Sequence, residues 1–236
     1  MTETRNPRSF RPVTPIDCLA CPARSVDLFA GTSRANREDL LGSFRMAAFA
    51  AKDVVYRMGE RAEYLYLVRS GLVKLVRYSA GGAERIVQLA RTGDTFGLAA
   101  LCEIPYRRTA VAMSRCELCR VPAEVVLAYN RHHPEFVPSI LAQYQRGIDV
   151  ADTFLTELST GGAHARIARL MLFLAERQDE GESPLVTREE MGSLLGLTTE
   201  TASRVMAEFR REHLIEVTAA DRCRCDIPAL EKIALV

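Results

Sequence analysis

Residues 185 to 215 read "LVTREEMGSLLGLTTETASRVMAEFRREHLI". Thr187, followed three residues on by Glu190, is a capping-box signature: the hydroxyl accepts the Glu190 N–H and the carboxylate reaches back. Gly196 ends that helix, and Thr198 or Thr199 caps a second one. In the second helix Glu200, Ser203 and Arg204 are spaced i, i+3, i+4 and share one face near the N-terminus. Val205, Met206 and Phe209 lie elsewhere around it and can bury it. Two helices joined by a short glycine-containing turn predict a helix-turn-helix. The following stretch "IEVTAADRCRCDI", residues 215 to 227, reads as a small hairpin, the wing of a winged helix.

A recognition helix presents its N-terminal residues to base edges in the major groove. Arginine pairs bidentately with guanine, glutamate accepts from cytosine N4, and serine serves several bases. The bland alternative is a solvated face with an intrahelical Glu200–Arg204 pair worth a few tenths of a kcal/mol. The charge balance speaks against DNA. Residues 159 to 236 hold ten Lys and Arg against thirteen Asp and Glu, a net of −3. Binding would rest on local positives such as Arg188, Arg204, Arg210 and Arg211, and on helix N-termini facing phosphates.

Upstream the period changes. From about 47 to 122, short β-rich runs are broken by Ser70-Gly71 and Ala80-Gly81-Gly82, with a hairpin between Leu72–Tyr78 and Arg85–Leu89. "RRTAVAMSRCELCRVP" adds two strands, and the whole predicts a small antiparallel barrel or roll. Val137, Leu141, Tyr144, Ile148, Ala151, Leu155 and Leu158 then alternate steps of four and three, an a/d stripe. It predicts either a helix packed on its own roll or, as the regularity favours, a two-stranded seam in a homodimer. "STGGAH" (159 to 164) is a hinge-like break, Arg166 to Arg177 an amphipathic helix, and "GESP" a loop. Residues 34 to 46 could form a short helix. Residues 1 to 16, with three prolines and no apolar period, read as a flexible arm. The predicted architecture is α+β: an arm over 1–33, a β-roll over 34–134, a dimerisation helix over 135–158 and a winged helix-turn-helix over 159–236.

The chain has 236 residues, 48% hydrophobic and 26% charged, with a net charge of +1. That composition fits a globular protein with no overall attraction to polyanions or membranes. No apolar run approaches the ~20 residues needed to span a bilayer, and no secretory signal opens the chain. The expected location is the cytoplasm, where its seven cysteines would be reduced. There is no phosphate-binding glycine loop, no H-E-x-x-H and no recognisable Ser/His/Asp grouping, so no enzyme is expected. A protein-binding module that has kept the winged helix without DNA affinity is a further alternative.

Taken together, residues 185 to 215, the roll stretch "YLVRSGLVKLVRYSAGGAERIVQLARTGDTFG" and the heptad helix resemble the CRP/FNR family of bacterial transcription regulators, over about residues 40 to 230. The E-x-x-S-R element, Glu200, Ser203 and Arg204, resembles the FNR branch. The resemblance implies an effector domain, a dimer helix and a winged helix. It also implies a dimer on a palindromic site of TTGA type, with RNA polymerase as partner. Arg188, Thr198 and Thr201 match family positions near phosphates.

The same resemblance frames the signal. In members that bind cyclic AMP, a Phe-Gly-Glu glutamate takes the ribose and an Arg-Ser/Thr-Ala arginine takes the phosphate. Here Arg108, Thr109 and Ala110 match the second motif, but Leu98 stands where the glutamate would be, which argues against cyclic AMP. In the FNR branch an oxygen-labile iron–sulfur cluster of the [4Fe-4S] type is held by three arm cysteines and one in the roll. Cys18 and Cys21 match the first pair and Cys119 the roll cysteine. The third arm cysteine is missing. Asp27 lies near its place, Cys116 is a second candidate ligand, and Cys102 a weaker one. Cys116 and Cys119 should point to opposite faces of a strand unless a bulge intervenes. A thiol switch among Cys18, Cys21 and Cys119 needs no fourth ligand, and zinc held with Cys116 and Cys119 is a further possibility. His132 and His133 read as solvated loop residues, not haem ligands. Cys223 and Cys225, spaced i, i+2, share a face and read as small residues on an exposed hairpin.

Overall fold

The computed structural model describes residues 10–14, 17–18, 21, 28–29, 40, 42–78, 81–82, 84–176 and 181–235. They divide into two compact units, Met1–Val73 with Ala90–Gln145, and Lys74–Leu89 with Arg146–Val236. This division falls within the long helix, between Gln145 and Arg146.

The first unit is built on strand pairing. Its strands are β1 (Arg11–Pro12), β2 (Arg45–Phe49), β3 (Val54–Tyr56), β4 (Tyr64–Ser70), β7 (Thr95–Phe96), β8 (Thr109–Ala112) and β9 (Cys116–Pro122). Five form a sheet of order β1-β2-β9-β4-β7, and β3 pairs antiparallel with β8. In β9, Cys119 lies opposite Met46 and Leu67, and Cys116 lies opposite Phe49. Side chains alternate along a strand, so Cys119 and Val121 leave one face while Cys116 and Leu118 leave the other. All four are buried.

The face of Cys119 is covered by Val13, Leu28, Phe29, Leu40 and Phe44 from the N-terminal segment, and by Val126 of α1 (Ala123–His132) and Phe136. The Phe29 ring lies 5.2 Å from Phe44 and stacks on Phe136 at 5.4 Å. The described part of the expected flexible arm is therefore structured. Its apolar residues carry no period, but each fully buried Leu or Phe contributes roughly 1.5–3 kcal/mol. Arg11 holds Asp17 through two hydrogen bonds of 2.7 and 2.9 Å, and β1 adds the segment to the sheet edge. The helix expected over 34–46 falls largely outside the described residues, and Arg45 and Met46 belong to β2.

Helix α2 (Val137–Thr153) carries the heptad stripe from one unit into the other. Val137, Leu141, Ile148 and Leu155 are 38, 60, 53 and 71% exposed. The stripe ends early. Phe154–Leu158 forms a π turn, whose i→i+5 bonding adds a residue to the turn. Leu158 leaves the exposed face and is fully buried.

In the second unit, β5 (Val73–Tyr78) continues into it from Lys74 and is hydrogen-bonded to β6 (Glu84–Ala90), as the turn signal predicts. Lys74 bridges to Glu84 at 2.8 Å. Helix α3 (Ala163–Ala175) buries Ile167, Leu170, Met171 and Leu174. Its Arg169 donates to the carbonyls of Glu157, Thr160 and Ala234, tying the 159–162 break to the last helix. "GESP" is not a loop: Glu182–Pro184 forms β10. With β11 (Ile215–Ala219) and β12 (Arg222–Cys225) it makes a sheet of order β10-β12-β11, in which β10 is an outer strand. Helices α4 (Arg188–Leu195), α5 (Thr199–Arg211) and α6 (Ile227–Ala234) complete the unit.

Gly71 sits at φ +90, and a Cβ there would lie 2.5 Å from both Arg115 O and Cys116 Cβ. Gly71→Ala combines left-handed strain with overpacking, together roughly 2–4 kcal/mol. The thermal midpoint should fall by roughly 4–16 °C, at about 2–4 °C per kcal/mol for a chain of this size, as calorimetry would show.

Candidate functional site

The helix-turn-helix forms as its sequence predicts. The Thr187 side chain accepts the Glu190 N–H, and Glu190 Oε2 accepts the Thr187 N–H at 3.1 Å. Gly196 closes α4 at φ +64. The two helices approach closely at Gly192, where a Cβ would lie 2.7 Å from Leu197 O. Thr198 is the N-cap of α5, accepting the Thr201 N–H at 3.1 Å, and the two threonine hydroxyls hydrogen-bond at 2.9 Å. Ala202, Val205, Met206 and Phe209 are buried, which turns Glu200, Ser203 and Arg204 outward as one exposed set.

Arg188, half-buried at the start of α4, points a guanidinium nitrogen to 3.6 Å from Met191 Sδ. Burial lowers its pKa most, and the charge of nearby Arg210 lowers it further. Two guanidiniums that repel one another form a place where an anion is stabilising. The pairing of Arg210 with Arg188 carries no signal in the sequence, because the two lie on different helices.

In the first unit, Cys18 packs against the apolar cluster that contains Cys119. The Cys18 N–H bonds to Thr14 O at 3.1 Å, the Cys21 N–H bonds to Cys18 O at 3.3 Å, and Arg69 holds Asp17 O at 3.2 Å. The structure brings Cys18 and Cys119 to one cluster. It does not bring Cys116 there: β9 runs without a bulge against β2, and Cys116 leaves the opposite face from Cys119. Cys116 therefore lies outside the cluster that Cys18 and Cys119 share. Asp27 lies outside the described residues. Among the described residues, no three or more His, Cys, Asp or Glu are grouped to hold a metal ion.

At the cyclic-nucleotide motifs, Leu98 O accepts the Tyr144 hydroxyl at 2.9 Å, and Thr109 Oγ1, buried, accepts the Met58 N–H at 3.0 Å. Tyr56 and Tyr106 stack at 3.7 Å nearby. His133 stacks on Tyr129 at 4.3 Å and meets Glu135 at 3.0 Å. The expectation for the wing cysteines needs correction: Cys223 and Cys225 are buried, because the β10 strand turns the hairpin into a sheet with an inner face.

A β-roll followed by a winged helix-turn-helix is the layout of a transcription regulator with an effector domain. The family described as Cyclic nucleotide-binding domain matches residues 47–133, and the family described as Crp-like helix-turn-helix domain matches residues 165–233. The transcriptional regulator LdrP of Thermus thermophilus is 32% identical over 194 residues, 80% of this chain and 96% of that protein. The fumarate and nitrate reduction regulatory protein of Vibrio cholerae is 27% identical over 169 residues, 69% of this chain and 68% of that protein. A crystal structure of a CRP-family transcriptional regulator, also from Thermus thermophilus, is 31% identical, with a TM-score of 0.65, over 80% of this chain and 97% of that one. The chain belongs to the CRP/FNR family of transcription regulators. Its relatives are regulators, not enzymes. No helix among the described residues is long and apolar enough to cross a membrane.

Proposed function

We propose that this regulator binds a TTGA-type DNA palindrome as a homodimer, acts on RNA polymerase from the cytoplasm, and responds to redox state through Cys18, Cys21 and Cys119. The observation that carries the DNA reading is the outward set Glu200, Ser203 and Arg204 on α5, fixed by a four-residue buried face. In this reading those three side chains meet base edges. Arg188, Thr198 and Thr201 at the helix starts meet phosphates, where exposed backbone N–H groups favour anions. Arg188 and Arg210 supply the local positive charge that the acidic domain lacks overall.

The redox reading rests on the apolar cluster shared by Cys18 and Cys119. The same cluster holds Phe136 and packs against Ile140 of α2. A change at either thiol would repack that cluster and bias the position of α2, a population shift of the usual kind. The described donors fit thiol chemistry better than a cluster of four thiolates, since Cys116 faces away. The leucine at position 98, which cannot accept from ribose hydroxyls, speaks against cyclic AMP as the signal.

Three outcomes test this. Arg204→Ala should lose roughly 5- to 150-fold in affinity for the palindrome, since a bidentate base contact is worth about 1–3 kcal/mol. Its salt-sensitive binding to random DNA should survive, so equal losses on both in gel shifts would refute a base contact. Ile148→Glu should give monomers by light scattering, and an intact dimer would refute the α2 seam. Protein purified without oxygen should be colourless and iron-free if thiols alone respond. A brown protein with broad absorbance near ~400 nm that bleaches in air would establish a cysteine-held cluster instead.

A further inference from the structure

His164 and Glu208 belong to no part of the proposed function. His164 lies in the first turn of α3, just after the 159–162 break, and that turn grips both helices of the helix-turn-helix. Arg166 donates from Nε to Gly161 O at 2.9 Å and from Nη1 to Leu195 O, at the end of α4, at 2.8 Å. His164 Nε2 meets Glu208 Oε2, on α5, at 3.1 Å. A carboxylate only accepts, so the imidazole donates its Nε2–H. The His164 ring also lies 6.0 Å from that of Phe209, which is buried beneath α5. The His164 and Glu208 side chains are 46 and 36% exposed, and so open a pair contributes little to stability. What it does fix is where the carboxylate points.

That direction matters to Arg204. Glu208 stands four residues beyond Arg204 on α5, so the two are neighbours one turn apart on the helix surface. Arg211 stands three residues further on. A carboxylate at 208 that nothing held would have both guanidiniums within reach of a helical ion pair. The bond from His164 lowers the Glu208 pKa most, against burial, ahead of the charges of His164, Arg211 and Arg204 in that order. We propose that His164 is a positioning residue for DNA recognition: it draws Glu208 toward α3 and so leaves Arg204 unpaired on the outward face of α5. This rests on the reading of Arg204 as a base contact. A bidentate contact to guanine uses two guanidinium nitrogens together, and an arginine paired along its own helix has fewer to give. An intrahelical pair at i, i+4 shifts such a competition by about twofold.

The test is fluorescence anisotropy with the full chain, on a TTGA palindrome and on random DNA. His164→Ala should bind the palindrome about two- to threefold more weakly, with random DNA unchanged. His164→Gln keeps a donor at that reach and should retain the unaltered affinity. Glu208→Gln removes the competing charge, so it should bind alike with and without His164→Ala. In an Arg204→Ala background, His164→Ala should have no effect. Unchanged affinity in His164→Ala would overturn the proposal. A loss that Glu208→Gln does not cancel would overturn it by making His164 merely structural, and a loss that persists without Arg204 would do so by moving the effect to Arg211. Equal losses on both DNAs in Arg204→Ala refute the base reading itself. A palindrome-specific loss there, with His164→Ala at unaltered affinity, refutes the positioning alone.

Discussion

β9 is buried on both faces, and most of the first unit follows from that constraint. A strand whose two faces are both covered cannot slip by one residue without turning Cys119 and Val121 into the place of Cys116 and Leu118. Its register against β2 and β4 is therefore fixed by packing on both sides. The roll interior covers one face. The N-terminal segment, α1 and Phe136 cover the other. This is why the segment holding Cys18 is drawn against the sheet, and why the cysteine that shares its cluster is Cys119 and not Cys116.

The parts legible in the sequence are those whose physics is local. The Thr187–Glu190 box, the Gly196 stop and the Thr198 cap each act over no more than four residues of chain, and each forms as read. The β5–β6 hairpin is read from its turn in the same way. The rest depends on distant partners. Leu28 and Phe29 look like arm residues until Phe44 and Phe136 come into place. Glu182–Pro184 has no strand pattern of its own and is a strand only because β12 pairs with it. That pairing is also what gives the wing an inner face and buries Cys223 and Cys225. Helix α6 is not legible either, although Asp226 caps it, accepting the Ala229 N–H at 3.1 Å, because its eight residues are too few to show a period.

The acidic balance of the C-terminal residues, net −3, weakens as an objection once the charges are located. Glu190 is used in a cap, Glu208 accepts from His164 at 3.1 Å, and Glu182 is paired with Arg222. Arg188 and Arg210 sit close enough to repel. Net charge governs long-range attraction, whereas recognition acts at contact distances inside a Debye length of about 8–10 Å. A domain can therefore be acidic in sum and still offer phosphates a positive patch, at the cost of weaker steering from afar.

The exposed stripe of α2 shows the same division between local pattern and tertiary cause. A helix packed only on its own unit would bury its apolar residues, yet Val137, Leu141, Ile148 and Leu155 stay exposed. Tyr144 and Ala151 are the exceptions before the π turn, both half-buried, Tyr144 with its hydroxyl on Leu98 O. The heptad pattern runs on to Leu158, and only the π turn at Phe154–Leu158 explains why the stripe stops before it. A π turn shifts the register of everything beyond it by a residue. It converts one continuous apolar repeat into two surfaces, an exposed stripe that ends at Leu155 and a buried anchor at Leu158. The helix can then keep its stripe exposed along its length while its end is buried.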